Sequence, residues 1–155
     1  MSIAKKYEKL DRLIHQNRED EINDLFKDIL TETFELINEK IESNKTLDIN
    51  DKEEKAAVRA MFEYMLELWA DRAINEAKEV GYDMVYLVKD PAIKEMFTMF
   101  VIGMLEGLDL DTFFEKYVNP DNVYKDDFFT DFDDKIDELV IKHKNKFKEE
   151  FSKDA

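Results

Sequence analysis

Most side chains in this sequence that could do chemistry are carboxylates. Glu32, Glu35 and Glu39 recur at spacings of three and four residues, and Glu63, Glu67 and Asp71 at spacings of four. On helices, each set shares one face. If the two faces met across an antiparallel helix pair, oxygens from Glu32, Glu35, Glu63 and Glu67 could hold Mg²⁺ or Mn²⁺, which prefer such ligands. With 38 acids in 155 residues, pairings of this kind also arise by chance, and the plainer reading is two solvated faces. Histidine offers little more. His15 stands near the end of a short apolar stripe. His143 falls within the stripe Phe132, Ile136, Leu139, Val140, His143, Phe147 and Phe151. There it could be a pH-sensitive contact, a metal ligand, or a half-buried side chain with one hydrogen bond.

Other chemistries are excluded by composition. There is no cysteine, so thiolate metal sites, disulfides and cysteine nucleophiles are absent. No glycine-rich phosphate loop or nucleophile elbow occurs. Neither histidine has glutamate three residues before it, which a ferritin-like di-iron site requires. Residues 121–134 lack the alternating ligands and central glycine of a calcium loop. The Glu32-x-x-Glu35 pair resembles the first half of the site in all-α nucleotide pyrophosphohydrolases, which pair Glu-x-x-Glu on one helix with Glu-x-x-Asp on the next. The second half departs from that pattern, because Glu67 and Asp71 are four residues apart. The resemblance implies a metal-dependent nucleotide hydrolase as one alternative function.

The formal net charge is −15. That balance opposes direct nucleic-acid binding, which needs clustered cations to displace counterions, and opposes docking on anionic membranes. It favours cationic partners, and a second alternative is an acidic mimic of nucleic acid that occupies a basic groove. The first ten residues have no apolar core of a signal peptide. The most apolar stretch, residues 93–108, is too short to span a bilayer and carries Lys94, Glu95 and Glu106. The expected location is the cytoplasm.

These residues must be positioned by helices. Three glycines and two prolines leave few breaks, and no period-two pattern persists. Apolar spacing predicts helices over 3–15 and 19–42, and a long third helix from a cap at Asn50 or Asp51 to a stop at Gly81. A fourth follows from the Asp90–Pro91 cap to about Glu106, ending at Gly107. Asp111 is predicted to cap a short helix to Val118, and a Thr130-x-x-Asp133 capping box to open the last helix. The fold class is therefore all-α, a compact bundle of five to six helices in a single domain, 1–155. Its central helix, about 91–106, should be buried on nearly every side: Ile93, Met96, Phe97, Met99, Phe100, Val101, Ile102, Met104, Leu105 and Leu108 cover its circumference. Gly103 costs about 1 kcal/mol there relative to alanine, which close approach of a neighbouring backbone would offset.

Two features point outward. Six of the seven methionines lie between Met61 and Met104, as either adaptable core filling or a binding groove. The aromatics Phe113, Phe114, Tyr117, Tyr124, Phe128 and Phe129, interleaved with acids, either anchor a partner or pin a connecting loop to the core. With no catalytic constellation and no cofactor implied, the sequence points to a non-enzymatic interaction or regulatory protein. It would bind another protein or a second copy of itself.

Overall fold

Four helix ends decide where the chain turns, and they share one device. In a Schellman motif the residue after the helix cap takes a left-handed conformation, and its own amide and the next one bond back into the last turn. Asn17 (φ 54°), Asn44 (φ 54°), Arg72 (φ 64°) and Gly107 (φ 82°) occupy that position. At each, the amide after this residue donates to the carbonyl five residues before it, as Ala73 does to Leu68 at 2.8 Å. The computed structural model describes residues 2–154, and among them there are seven helices: α1 (Ile3–His15), α2 (Glu19–Glu42), α3 (Lys52–Ala70), α4 (Ile74–Leu87), α5 (Pro91–Leu105), α6 (Leu110–Tyr117) and α7 (Ile136–Asp154). The chain is all-α apart from the short hairpin β1 (Val123–Tyr124) and β2 (Phe128–Phe129).

It divides into two compact units, Met1–Met61 and Phe62–Ala155, with the boundary inside α3. In the first unit, Ile3, Tyr7 and Leu10 of α1 pack with Ile29 of α2 and with Ala56, Ala57 and Ala60 of α3. The three alanines let the helices approach closely. Glu53 joins α3 to the start of α1: its carboxylate accepts from the amides of Ile3 (3.1 Å) and Ala4 (2.8 Å). These are donors that a helix N-terminus leaves orphaned, and the negative charge suits the positive end of the dipole. Asp51 caps α3 by accepting from Glu53 and Glu54 amides. Arg59 reaches Asp11 at 3.0 Å and lies 3.9 Å above the Tyr7 ring.

The second unit is organised around α5. Ile93, Met96, Phe97, Met99, Phe100, Val101, Ile102, Gly103 and Met104 are all buried, as expected for a helix apolar all round. The Phe100 ring meets those of Phe62, Trp69, Phe113, Phe114 and Phe132 at centroid distances of 5.2, 6.3, 5.1, 5.6 and 6.0 Å. Such pairs contribute about 0.5–1.5 kcal/mol each beyond area burial. Leu105 and Leu108 are only half-buried. α7 lays Ile136, Leu139, Val140, His143, Phe147 and Phe151 inward, all buried or half-buried.

Several expected boundaries move. The long third helix is two, α3 and α4, because Arg72 turns the chain where the periodicity runs on. Gly81 is then no stop but the middle of α4, where an added Cβ would lie 2.4 Å from Val101 Cγ2. Gly103 does accommodate a close approach, but of a ring rather than a backbone: a Cβ there would meet Phe113 Cδ1 at 2.4 Å and Cε1 at 2.6 Å. Asp109, not Asp111, caps α6, accepting from the Thr112 amide at 2.7 Å. The Thr130 capping box does not form. Residues 131–133 run extended beside 117–119, with Asn119 donating to Asp131 and Asp133 donating to Tyr117. The hairpin has register Val123↔Phe129 and Tyr124↔Phe128, with Lys125 and Asp126 at positive φ in its turn.

Gly103→Ala should lower unfolding free energy by about 1–3 kcal/mol through overpacking against Phe113, despite alanine's better helix propensity. Urea denaturation measures it, and a neutral or stabilising result would mean that the Phe113 ring yields freely.

Candidate functional site

The residues singled out from the sequence fall in different settings, some enclosed and some accessible. Phe113 and Phe128 are fully enclosed, so in the folded chain they hold their segment to the core rather than present a surface. Phe114, Tyr117, Tyr124 and Phe129 are half-buried and keep part of each ring accessible. The Tyr124 hydroxyl donates to Asp90 Oδ2 at 2.8 Å, while Asp90 Oδ1 caps α5 through the Ala92 and Ile93 amides. That hydrogen bond, with burial and the Asp90 charge, raises the Tyr124 pKa. The hairpin is thereby tied to the start of α5.

Glu32 and Glu35 stand on α2 in the first unit, and Glu63 and Glu67 on the part of α3 in the second. Glu32 is ion-paired with Lys6 at 2.8 Å, and Glu35 and Glu67 are exposed. Among the described residues, no group of three or more His, Asp or Glu side chains is placed to hold a metal ion. His15 is exposed. His143 is half-buried, and its Nε2 lies 2.8 Å from Glu106 Oε1, an atom that also accepts from Lys142 Nζ at 2.7 Å. Hydrogen bonds from Lys142 and His143 lower the Glu106 pKa. This cluster ties α7 to the C-terminal end of α5. The six methionines between Met61 and Met104 are core: Met61, Met65, Met84, Met96, Met99 and Met104 are all buried.

A different place has the features of a binding site. A cleft of about 490 Å³ opens in the second unit between the turn that ends α3 and the turn that ends α5. Trp69, Ile74, Leu108 and Leu110 supply apolar lining, while Arg72, Asp109 and Asp111 supply charge. Each is placed by backbone geometry. The Trp69 indole N–H donates to the Leu108 carbonyl at 3.0 Å, stapling the two turns together. Gly107 at φ 82° turns the chain so that Leu108 and Asp109 face the end of α3. Asp109 is kept ionised: hydrogen bonds from the Thr112 backbone and side chain lower its pKa, and the nearby Arg72 charge adds to this.

Arg72 is the unusual member. A residue with a Cβ at a left-handed position costs about 1–2 kcal/mol, and glycine is the ordinary occupant. Here an arginine holds that position, exposed and on the cleft. The sequence does not reveal this. Trp69 reads as one more member of the α3 stripe, and Arg72 as the interior of a longer helix. Only Gly107 signals a turn, and nothing in its spacing says which other turn it meets.

Arg72→Gly should stabilise the fold by about 1 kcal/mol by relieving the left-handed strain, as measured by urea or thermal denaturation. A loss of stability would show instead that the guanidinium supports the turn.

Set beside known proteins, the chain matches no family model, no curated protein and no solved structure, so its function has to be read from the site itself.

Proposed function

We propose that this chain is a non-enzymatic protein-interaction module, and that its cleft receives a segment of a partner protein carrying a basic side chain next to an apolar one. The observation that carries this reading is the cleft's composition: an apolar lining of Trp69, Ile74, Leu108 and Leu110 beside the carboxylates of Asp109 and Asp111. Binding sites for peptides pair apolar contact area, which supplies affinity, with a few charged groups, which fix orientation. Trp69 is buried and forms the floor of the cleft, while Arg72, exposed at its edge, is of a residue type that often dominates interface energies.

The chain's charge of −15 supports a cationic partner, because a strongly acidic surface steers such partners and speeds their association. Within the cleft a partner's lysine or arginine would meet Asp111 and the outward side of Asp109, with its aliphatic stem across Leu108. Arg72 would then be free to take a carboxylate or backbone carbonyl of the same segment. No helix among the described residues is long and apolar enough to cross a bilayer.

Trp69 is the chain's only tryptophan and lines the cleft, so its emission senses changes there. Titration with short synthetic peptides alternating Lys and Leu should shift that emission saturably, and the affinity should fall as salt rises. Asp109→Asn with Asp111→Asn should weaken binding about tenfold or more. Asparagine at position 109 still caps α6, so the fold is kept. Equal binding by the double variant, or a preference for acidic peptides, would refute the proposal.

A further inference from the structure

The outer face of α7 carries a charge pattern complementary to itself. Ile141 is 78% exposed, the most exposed large apolar side chain described. Residues three, four and seven positions away share its face. Before it stand Asp137 and Glu138, with Asp134 in the turn leading into the helix; after it stand Lys144, Asn145 and Lys148. All six are exposed. The helix dipole accounts for acids near the start and lysines near the end, but it gives no reason for a bare isoleucine between them.

The lysines of α7 divide into two groups. Lys142 pairs with Glu106 at 2.7 Å, Lys146 lies 3.7 Å from Glu150 and Lys153 3.3 Å from Glu149, so these three serve the second unit itself. Lys144 and Lys148 make no ion pair among the described residues, nor do Asp134, Asp137 and Glu138. In a chain of charge −15, two uncommitted lysines following an exposed isoleucine form a local exception to the acidic surface.

We infer that this face binds a second copy of the same chain, with the two α7 helices antiparallel about a two-fold axis at Ile141. In that arrangement a residue n positions after Ile141 faces the residue n positions before it in the other copy. Lys144 then faces Glu138 of the second copy, Lys148 faces Asp134, and Asn145 faces Asp137, each pairing occurring twice. A two-fold interface requires such self-complementarity, and the reverse, parallel arrangement would set lysine against lysine. The isoleucines meet at the axis, with the lysine stems beside them adding apolar cover. One isoleucine per copy is little apolar area, so the dimer is weak and depends on charge. Long-range repulsion between two acidic chains is screened beyond about 8 Å at physiological ionic strength, whereas contact pairs persist. None of the cleft residues lies on this face, so the inference is independent of the cleft reading.

The test is sedimentation velocity of the full chain from about 10 µM to about 1 mM. At an ionic strength of about 0.15 M the sedimentation coefficient should rise with concentration toward that of a dimer, and the rise should shrink at about 1 M. Lys144→Glu with Lys148→Glu should weaken association at least about tenfold, and so should Asp134→Lys with Glu138→Lys. Mixing the two double variants in equal amounts should restore a dimer containing one of each. All four sites are exposed, and circular dichroism should show both variants folded. A wild-type chain that stays monomeric throughout, a dimer indifferent to both double variants, or a mixture that fails to associate would each overturn the inference.

Discussion

A helix that is apolar on every side can exist in water only if other elements enclose it. That constraint on α5 determines much of what surrounds it. Its stability comes from packing rather than from intrinsic propensity, which Gly103 and the β-branched Val101 and Ile102 reduce. The enclosure is specific: the Phe113 ring of α6 sits where a Cβ of residue 103 would be, and Val101 Cγ2 sits where a Cβ of Gly81 would be. Each glycine thus trades helix propensity for contact between neighbouring helices. Because α6 must bring Phe113 onto Gly103, the chain has to reverse immediately after α5. Gly107 makes that reversal, and the cleft lies beside it.

The position of the cleft therefore follows from the core. The turn after α5 carries Leu108 and Asp109 outward, and the Trp69 indole holds that turn against the end of α3 while its ring packs on Phe100 and Phe113. One side chain is part of both the core and the cleft wall. The carboxylates near the cleft need no burial to stay charged, since Asp109 is the cap of α6 and its hydrogen bonds favour the ionised form. Arg72 comes from the opposite turn, in a conformation its side chain makes costly.

Much of the architecture was legible because it depends on local rules. The spans of α1 and α2, the Asp90–Pro91 start and Gly107 end of α5, and the all-round burial of α5 follow from periodicity and capping chemistry. What was not legible depends on tertiary contact. No local signal separates α3 from α4, because Arg72 is a good helix former that the fold places in a left-handed turn. Thr130 looks like a cap, yet residues 131–133 are held extended beside 117–119. The hairpin escaped because two-residue strands are too short to show alternation. The aromatics of 113–129 were visible as a cluster, but whether each ring faced inward or outward depended on the rings already there. The cleft brings together residues near 70 and near 109, and no pattern within either segment refers to the other.

If enclosure of α5 organises the second unit, α5 must be the most protected element of that unit. Native-state amide hydrogen exchange measures this directly. Amides from Met96 to Met104 should exchange only through global unfolding, with the same free energy for all of them and a higher one than for α6 or the hairpin. Exchange of those amides by local opening, at rates like those of α6, would contradict it.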